Sequence, residues 1–465
     1  MRIENGKTKM NFSRFLRPDL INGNILSSLV SFTFPLLVSL VFQQLYNAVD
    51  AVIVGNFLKE SSLAAIGSSA VLFELLVGFG NGFGNGLSIV AARAFGSGDE
   101  KKLKKVVASS LALTFFVTLF ITVVSRFTLM KALTLLGTPE EIKDEAFSYI
   151  NTVTLFVCVL FAFNLLSGLL RAIGNSFMPL VFLIVSSIMN IFLDLLFITK
   201  VGMGIKGAAI ATVIAQGFSA LLCLLYILKK ARILLPSKCH FTFEKRLLSD
   251  LFAQGFSMAL MGALVSSGTV VLQSAINGFG KFVIAGHVAA RKIFSIVNIP
   301  LVALGTASST FVSQNLGAGK TDRIKKGISI SALIGIVWAL LLIASMKFTI
   351  RPLLMFISGS TNETLLEYGT NYMYFCIPFF LVLGTLFITR NSLQGLGSKV
   401  LPLISSIIEL VGKIFFTAVI VKRIGLWGII ICEPLIWVVM TAQLLFVFVR
   451  HPALRSCKSA RIEEA

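Results

Sequence analysis

Asp50 closes the segment Gln43-Gln44-Leu45-Tyr46-Asn47-Ala48-Val49-Asp50, in which Gln43, Tyr46, Asn47 and Asp50 are spaced to fall along one helix face. A second polar pair, Asn190 and Asp194, has i, i+4 spacing and shares a face in the same way. Both lie in long apolar runs, where an aspartate costs about 2.5–3.5 kcal/mol to insert at a helix centre. Residues kept at that cost are the first candidates for function. If the two stretches converge with Thr212 at a comparable level, two carboxylates meet an amide and a hydroxyl in a low-dielectric setting. Like charges held there repel, so the group suits uptake and release of a proton, or oxygen coordination of a desolvated Na⁺. The competing reading places both aspartates at a headgroup boundary, simply hydrated.

Three further acids fall inside apolar runs. Glu74 has no comparable companions. Glu409 and Lys413 are i, i+4 with the glutamate first, which reads as structural self-neutralisation. Glu433, followed by Pro434, reads as a break or bend in its helix, and His287, beside Gly286, as a packed lone histidine. The six cysteines are scattered without metal spacing or a disulfide framework. No serine–histidine pairing or phosphate loop is present either, so neither an enzyme nor a resident metal or cofactor is expected.

The elements that must position these residues are membrane spans. Hydrophobic residues make up 56% of the 465 and charged residues only 13%, whereas a water-facing surface calls for about 25% charged. Runs near 20 residues match the ~30 Å hydrocarbon slab. They give twelve helices, near 25–53, 62–92, 106–130, 146–170, 176–199, 205–228, 251–276, 282–311, 327–350, 367–389, 400–421 and 426–449. Pro35 and Pro300 are the expected kink points. The net charge of +20 would suggest nucleic acid in a soluble protein; here the charges sit between apolar runs. With both termini in the cytoplasm, 27 of the 41 lysines and arginines fall on the inner side, and the outer segment 137–145 is acidic. That is the positive-inside pattern of a multi-pass protein of the cytoplasmic (plasma) membrane, with no nucleic-acid partner.

A self-match at an offset of about 221 residues organises the spans. Ala94-Phe95-Gly96-Ser97-Gly98 with the lysines at 101–105 recurs as Asn315-Leu316-Gly317-Ala318-Gly319 with Arg323, Lys325 and Lys326. Arg171-Ala172-Ile173-Gly174 with Pro179 recurs as Gln394-Gly395-Leu396-Gly397 with Pro402, and Gly202 to Gly207 as Gly425 to Gly428. Six spans per half return the chain to one face, so the repeat is parallel and leaves a cleft between the halves. The expected organisation is a tail (1–24), an N-lobe (25–228), a linker (229–250), a C-lobe (251–449) and a tail (450–465), with both tails and the linker cytoplasmic. The fold class is all-α and polytopic, in two pseudo-symmetric six-helix bundles.

Twelve spans in two parallel halves, the 43–50 motif with Val54-Gly55, and a Gly-x-Gly-basic turn in each half resemble the multidrug and toxic compound extrusion (MATE) transporters over about residues 20–450, and most of all their bacterial DinF-like branch. The resemblance implies that Asp50 is the first-helix aspartate of a cation or proton coupling site, with Asn190 and Asp194 as its fifth-helix pair. It further implies roles for Thr212 as the sixth-helix hydroxyl, for Asn164 on the fourth helix with Gln43 and Tyr46 nearby, and for Pro35 as the bending proline. Branches using acids in the seventh and tenth spans are matched poorly, because 251–276 and 367–389 carry no interior carboxylate. The implied activity is secondary active efflux of cationic or amphiphilic drugs in exchange for H⁺ or Na⁺, by a monomer. The rival reading is a flippase for lipid-linked oligosaccharide or cell-wall precursors. It calls for cations along the cleft, where only Arg291, Lys292 and Lys413 are interior.

Overall fold

A backbone in hydrocarbon has no water to bond and must satisfy its N–H and C=O groups within the segment, so each apolar run becomes a helix. The computed structural model describes residues 18–58 and 60–455. Its helices are α1 (Ile25–Phe57), α2 (Glu60–Gly96), α3 (Glu100–Leu135), α4 (Glu140–Leu155), α5 (Val157–Ala172), α6 (Phe177–Leu195) and α7 (Ile205–Lys230) in the first half. The second half holds α8 (Lys245–Ile276), α9 (Lys281–Gly317), α10 (Thr321–Ser358), α11 (Glu363–Cys376), α12 (Phe380–Gly395), α13 (Val400–Phe415) and α14 (Leu426–Arg450). Among the described residues eleven spans are long and apolar enough to cross a membrane, α11 and α12 forming one of them; α4 and α5, bent by 47°, make the twelfth. The helix α1 runs through Pro35, and α9 through Pro300. Of the sequence-derived tails, residues 1–17 and 456–465 lie outside the described residues.

The repeat is visible in the backbone. Gly98 and Gly319 turn the chain at φ +72° and +69°, and Gly174 and Gly397 at +86° and +90°. A single π-helical turn follows α6 at Leu196–Lys200 and follows α13 at Phe416–Ile420.

The helices α1–α7 pack on one another, and so do α8–α14; the two bundles meet where α2 runs along α8 and α9 and where α1 packs on α9. Small residues permit this approach. A Cβ on Gly96 would lie 1.9 Å from the Gln314 carbonyl oxygen, and one on Gly317 2.0 Å from that of Arg93. Polar ties reinforce the same end of the seam. Ser313 Oγ donates to the Ile89 carbonyl (2.6 Å), Gln314 Nε2 to that of Ala172 (2.7 Å) and Asn315 Nδ2 to that of Leu20 (3.0 Å). Toward the opposite face the tie thins to a 3.4 Å bond from Gln44 to Ser295. The bundles are thus closed on the face carrying both ends of the described chain.

Gly96→Ala should force this end of the seam apart, since its new methyl group would meet backbone and not a movable side chain. A spin-label pair at positions 101 and 399 should then gain a longer-distance population. An unaltered distance distribution would show that the seam does not control closure.

Candidate functional site

Two polar stretches 140 residues apart in sequence become neighbours because α1 packs along α6, with α7 behind α6. The carboxylates of Asp50 and Asp194 abut and interact directly. Asp194 is 0% exposed and Asn190 1%, so the hydrated-boundary reading fails for Asp194. Both oxygens of Asp194, Oδ1 of Asp50 and both amide atoms of Asn190 are buried with no hydrogen-bond partner among the described residues. Each such group carries a desolvation penalty of about 1–3 kcal/mol, more when charged. Five such groups sit on three adjoining side chains.

Around the pair, Tyr46 Oη donates to Oγ1 of buried Thr212 (3.4 Å). Tyr149 on α4, also buried, interacts electrostatically with both aspartates. A cavity of about 50 Å³ lies beside Tyr46 and Asn190, lined also by Gln43, Asn81, Asn164 and Gln216 among others. That is room for about one water-sized ligand. Asn164 lies in its wall, with Nδ2 engaged by the Leu160 carbonyl (3.0 Å). Asn47 departs from the expected shared face: it is exposed and does not line the cavity. Pro35 sits roughly 22 Å along α1 from Asp50, at 1.5 Å per residue. One turn before it, the Phe32 carbonyl accepts a hydrogen bond from Ser176 at the start of α6 (2.9 Å).

Sequence reasoning missed Tyr149, Asn81 and Gln216. An isolated tyrosine or amide in an apolar run carries no spacing signal; only helix packing brings these three to the site. The donor set of Asp50, Asp194, Asn190 and Thr212 is all oxygen, which fits a hard cation or a shared proton. Among the described residues no group of three or more His, Cys, Asp or Glu side chains could hold a metal ion.

The second bundle corrects two further readings. Glu433 does not interrupt its helix: α14 continues through Pro434, and the buried carboxylate accepts from Arg291 (2.7 Å), from Tyr372 Oη (2.8 Å) and from Lys413 (3.2 Å). The Lys413–Glu409 pair (2.9 Å) is therefore one edge of a network joining α9, α11, α13 and α14. His287 belongs beside it, bonded to Tyr368 Oη (3.0 Å) and edge-on to Tyr372. Two cations thus meet two carboxylates, and the cluster is neutral.

The family model described as MatE matches this chain twice, at residues 35–196 and 257–419, one copy in each bundle. The chain belongs to the MatE family. As a MATE-family protein it is a polytopic transporter and not an enzyme. The transporter is 29% identical over 393 residues to the "Probable multidrug resistance protein YoeA" of Bacillus subtilis (strain 168), covering 83% of this chain and 84% of the relative. It is 23% identical over 445 residues to "Multidrug export protein MepA" of Staphylococcus aureus (strain N315), covering 94% and 97%. Its fold matches a MOP superfamily transporter from Pyrococcus furiosus with a TM-score of 0.86, at 22% identity over 97% of this chain and 100% of that one.

Proposed function

We propose that this transporter exports cationic or amphiphilic organic compounds in exchange for H⁺ or Na⁺, the coupling ion binding at Asp50, Asn190 and Asp194. One observation carries the reading: the Asp194 carboxylate is buried with neither oxygen hydrogen-bonded among the described residues and abuts half-buried Asp50, while the second bundle's buried acids, Glu409 and Glu433, are paired with cations. The multidrug names of the relatives support the cargo class. The basic, terminus-bearing face is taken as cytoplasmic, so the closed seam belongs to an outward-facing state.

Repulsion between the two carboxylates opposes close packing of α1 against α6. A proton or Na⁺ entering from outside removes that repulsion and supplies the missing partner, which lets the helices repack and α1 flex at Pro35. The drug site then loses affinity outward, and return to the inward state carries the ion down its gradient. One charge moved across 100 mV contributes about 2.3 kcal/mol, enough to bias the exchange some tens-fold. A flippase for lipid-linked precursors would need free cations along the cleft; Arg291 and Lys413 are paired with Glu433 and Glu409, which leaves Lys292 alone of the three without an ion pair among the described residues.

The test is movement of a fluorescent organic cation in oriented vesicles, with pH and Na⁺ gradients imposed separately. One gradient should drive transport in the natural protein, and neither should do so in Asp50→Asn or Asp194→Asn. Unchanged ion-driven transport in both variants would remove the coupling site; lipid-linked cargo predicts no drug movement at all.

A further inference from the structure

The terminus-bearing face holds a cavity of about 880 Å³ at the seam. Six cations line it: Arg93 at the end of α2, Lys101, Lys102 and Lys105 on α3, Arg246 on α8, and Lys399 before α13. Three acids oppose them, and each is engaged. Glu244 pairs with Lys105 (2.6 Å), while Asp250 pairs with Lys399 (2.5 Å) and Arg93 (3.9 Å). Asp99 caps α3 by accepting the backbone N–H of Lys102 (2.9 Å). Lys101, Lys102 and Arg246 are left without an ion pair among the described residues, and Arg93 Nε is buried without a partner.

A second cavity, of about 520 Å³ and almost wholly apolar, lies between α2, α3 and α8; Phe79, Phe83, Phe120, Phe252 and Phe256 are in its walls. The helix α8 joins the two: Ser249 and Asp250 line the basic cavity, while Phe252, Phe256 and Ala263 line the apolar one. On α8 the groove spans about 16 Å, from Phe252 to Ala263, and on α3 it begins at Val117, about 18 Å beyond Lys105, at 1.5 Å per residue. Neither cavity adjoins the aspartates.

We infer that this seam binds an anionic phospholipid, its phosphate in the basic cavity and an acyl chain in the apolar groove. Charge complementarity selects the headgroup, and the apolar groove that α8 carries on from Asp250 to Phe252 selects a lipid over free phosphate. Both bundles contribute cations, so the complete site exists only while the seam is closed, and the bound lipid stabilises that state.

Native mass spectrometry of the full chain, released from nanodiscs of equal phosphatidylglycerol and phosphatidylcholine, tests this. The natural protein should retain the anionic lipid preferentially. The Lys101→Gln/Lys102→Gln/Arg246→Gln variant should lose that preference by about tenfold or more, given the contribution of each basic residue near an anionic surface. Its melting temperature in phosphatidylcholine alone, unchanged, shows that it remains folded. Ser125→Phe, which fills the groove, should reduce retention of both lipids while leaving the basic cavity intact. Inorganic phosphate should not shift the melting temperature of the natural protein, whereas phosphatidylglycerol should raise it. Equal retention of the two lipids by the natural protein, undiminished preference in the triple variant, or protection by phosphate equal to that by the lipid would each overturn the inference.

Discussion

Asp194→Asn is expected to reduce ion-driven transport about a hundredfold, a loss of roughly 2.7 kcal/mol of coupling, while making the protein more stable. The carboxylate of Asp194 is fully buried, abuts Asp50 and has neither oxygen bonded. An asparagine keeps the shape, removes one of two like charges and brings an N–H₂ that can donate to Asp50. The expected gain is about 1–3 kcal/mol, the scale of relieving an unsatisfied buried group. Thermal unfolding measures it. Asp50→Asn should behave alike, and the double variant should transport no worse than either single one, since the pair acts as a unit. Wild-type ion-coupled transport by Asp194→Asn would sink the proposal, whatever its stability.

Glu433→Ala should have the opposite effect on stability, costing about 3–5 kcal/mol, as expected when one partner of a buried ion pair is removed. Glu433 is 4% exposed and is the common acceptor for Arg291, Lys413 and Tyr372. Without it Arg291 has no carboxylate partner, Lys413 keeps only Glu409, and the Tyr372 hydroxyl loses its acceptor. Glu433→Gln, which keeps an acceptor but not the charge, should fall between. Adding Lys413→Met to Glu433→Ala should recover part of the loss by restoring charge balance. Thermal unfolding in detergent and folded yield are the readouts. An unperturbed Glu433→Ala melting curve would mean that these cations do not depend on Glu433.

The contrast between the two clusters explains how much the sequence disclosed. Asp50 and Asp194 were legible because each stands out from an apolar run with a polar companion at helical spacing, and spacing is a local property. Glu433 misled for a similarly local reason: the proline after it suggested a helix break, while its three partners lie 20 to 142 residues away. Lys413 and Glu409 were read as a self-contained pair because i, i+4 contact is visible in one dimension and the third member is not. Asn47 erred in the other direction. Its spacing places it near the polar face of α1, but the packing of α1 against α6 and α9 leaves it exposed.

The sequence by itself placed the apolar spans, the parallel repeat and the membrane-embedded acids, though not the 47° break between α4 and α5. Bilayer thickness and the need to satisfy backbone hydrogen bonds act on each segment separately. Which side chains meet was decided only by the tertiary structure: the abutting aspartates with Tyr149, the neutral network around Glu433, the closed glycine-lined seam and the basic and apolar cavities beside it. In a membrane both the buried and the lipid-facing sides of a helix are apolar, so hydrophobic pattern says little about rotation or neighbour. Close packing of small residues and bonds between distant helices settle those instead.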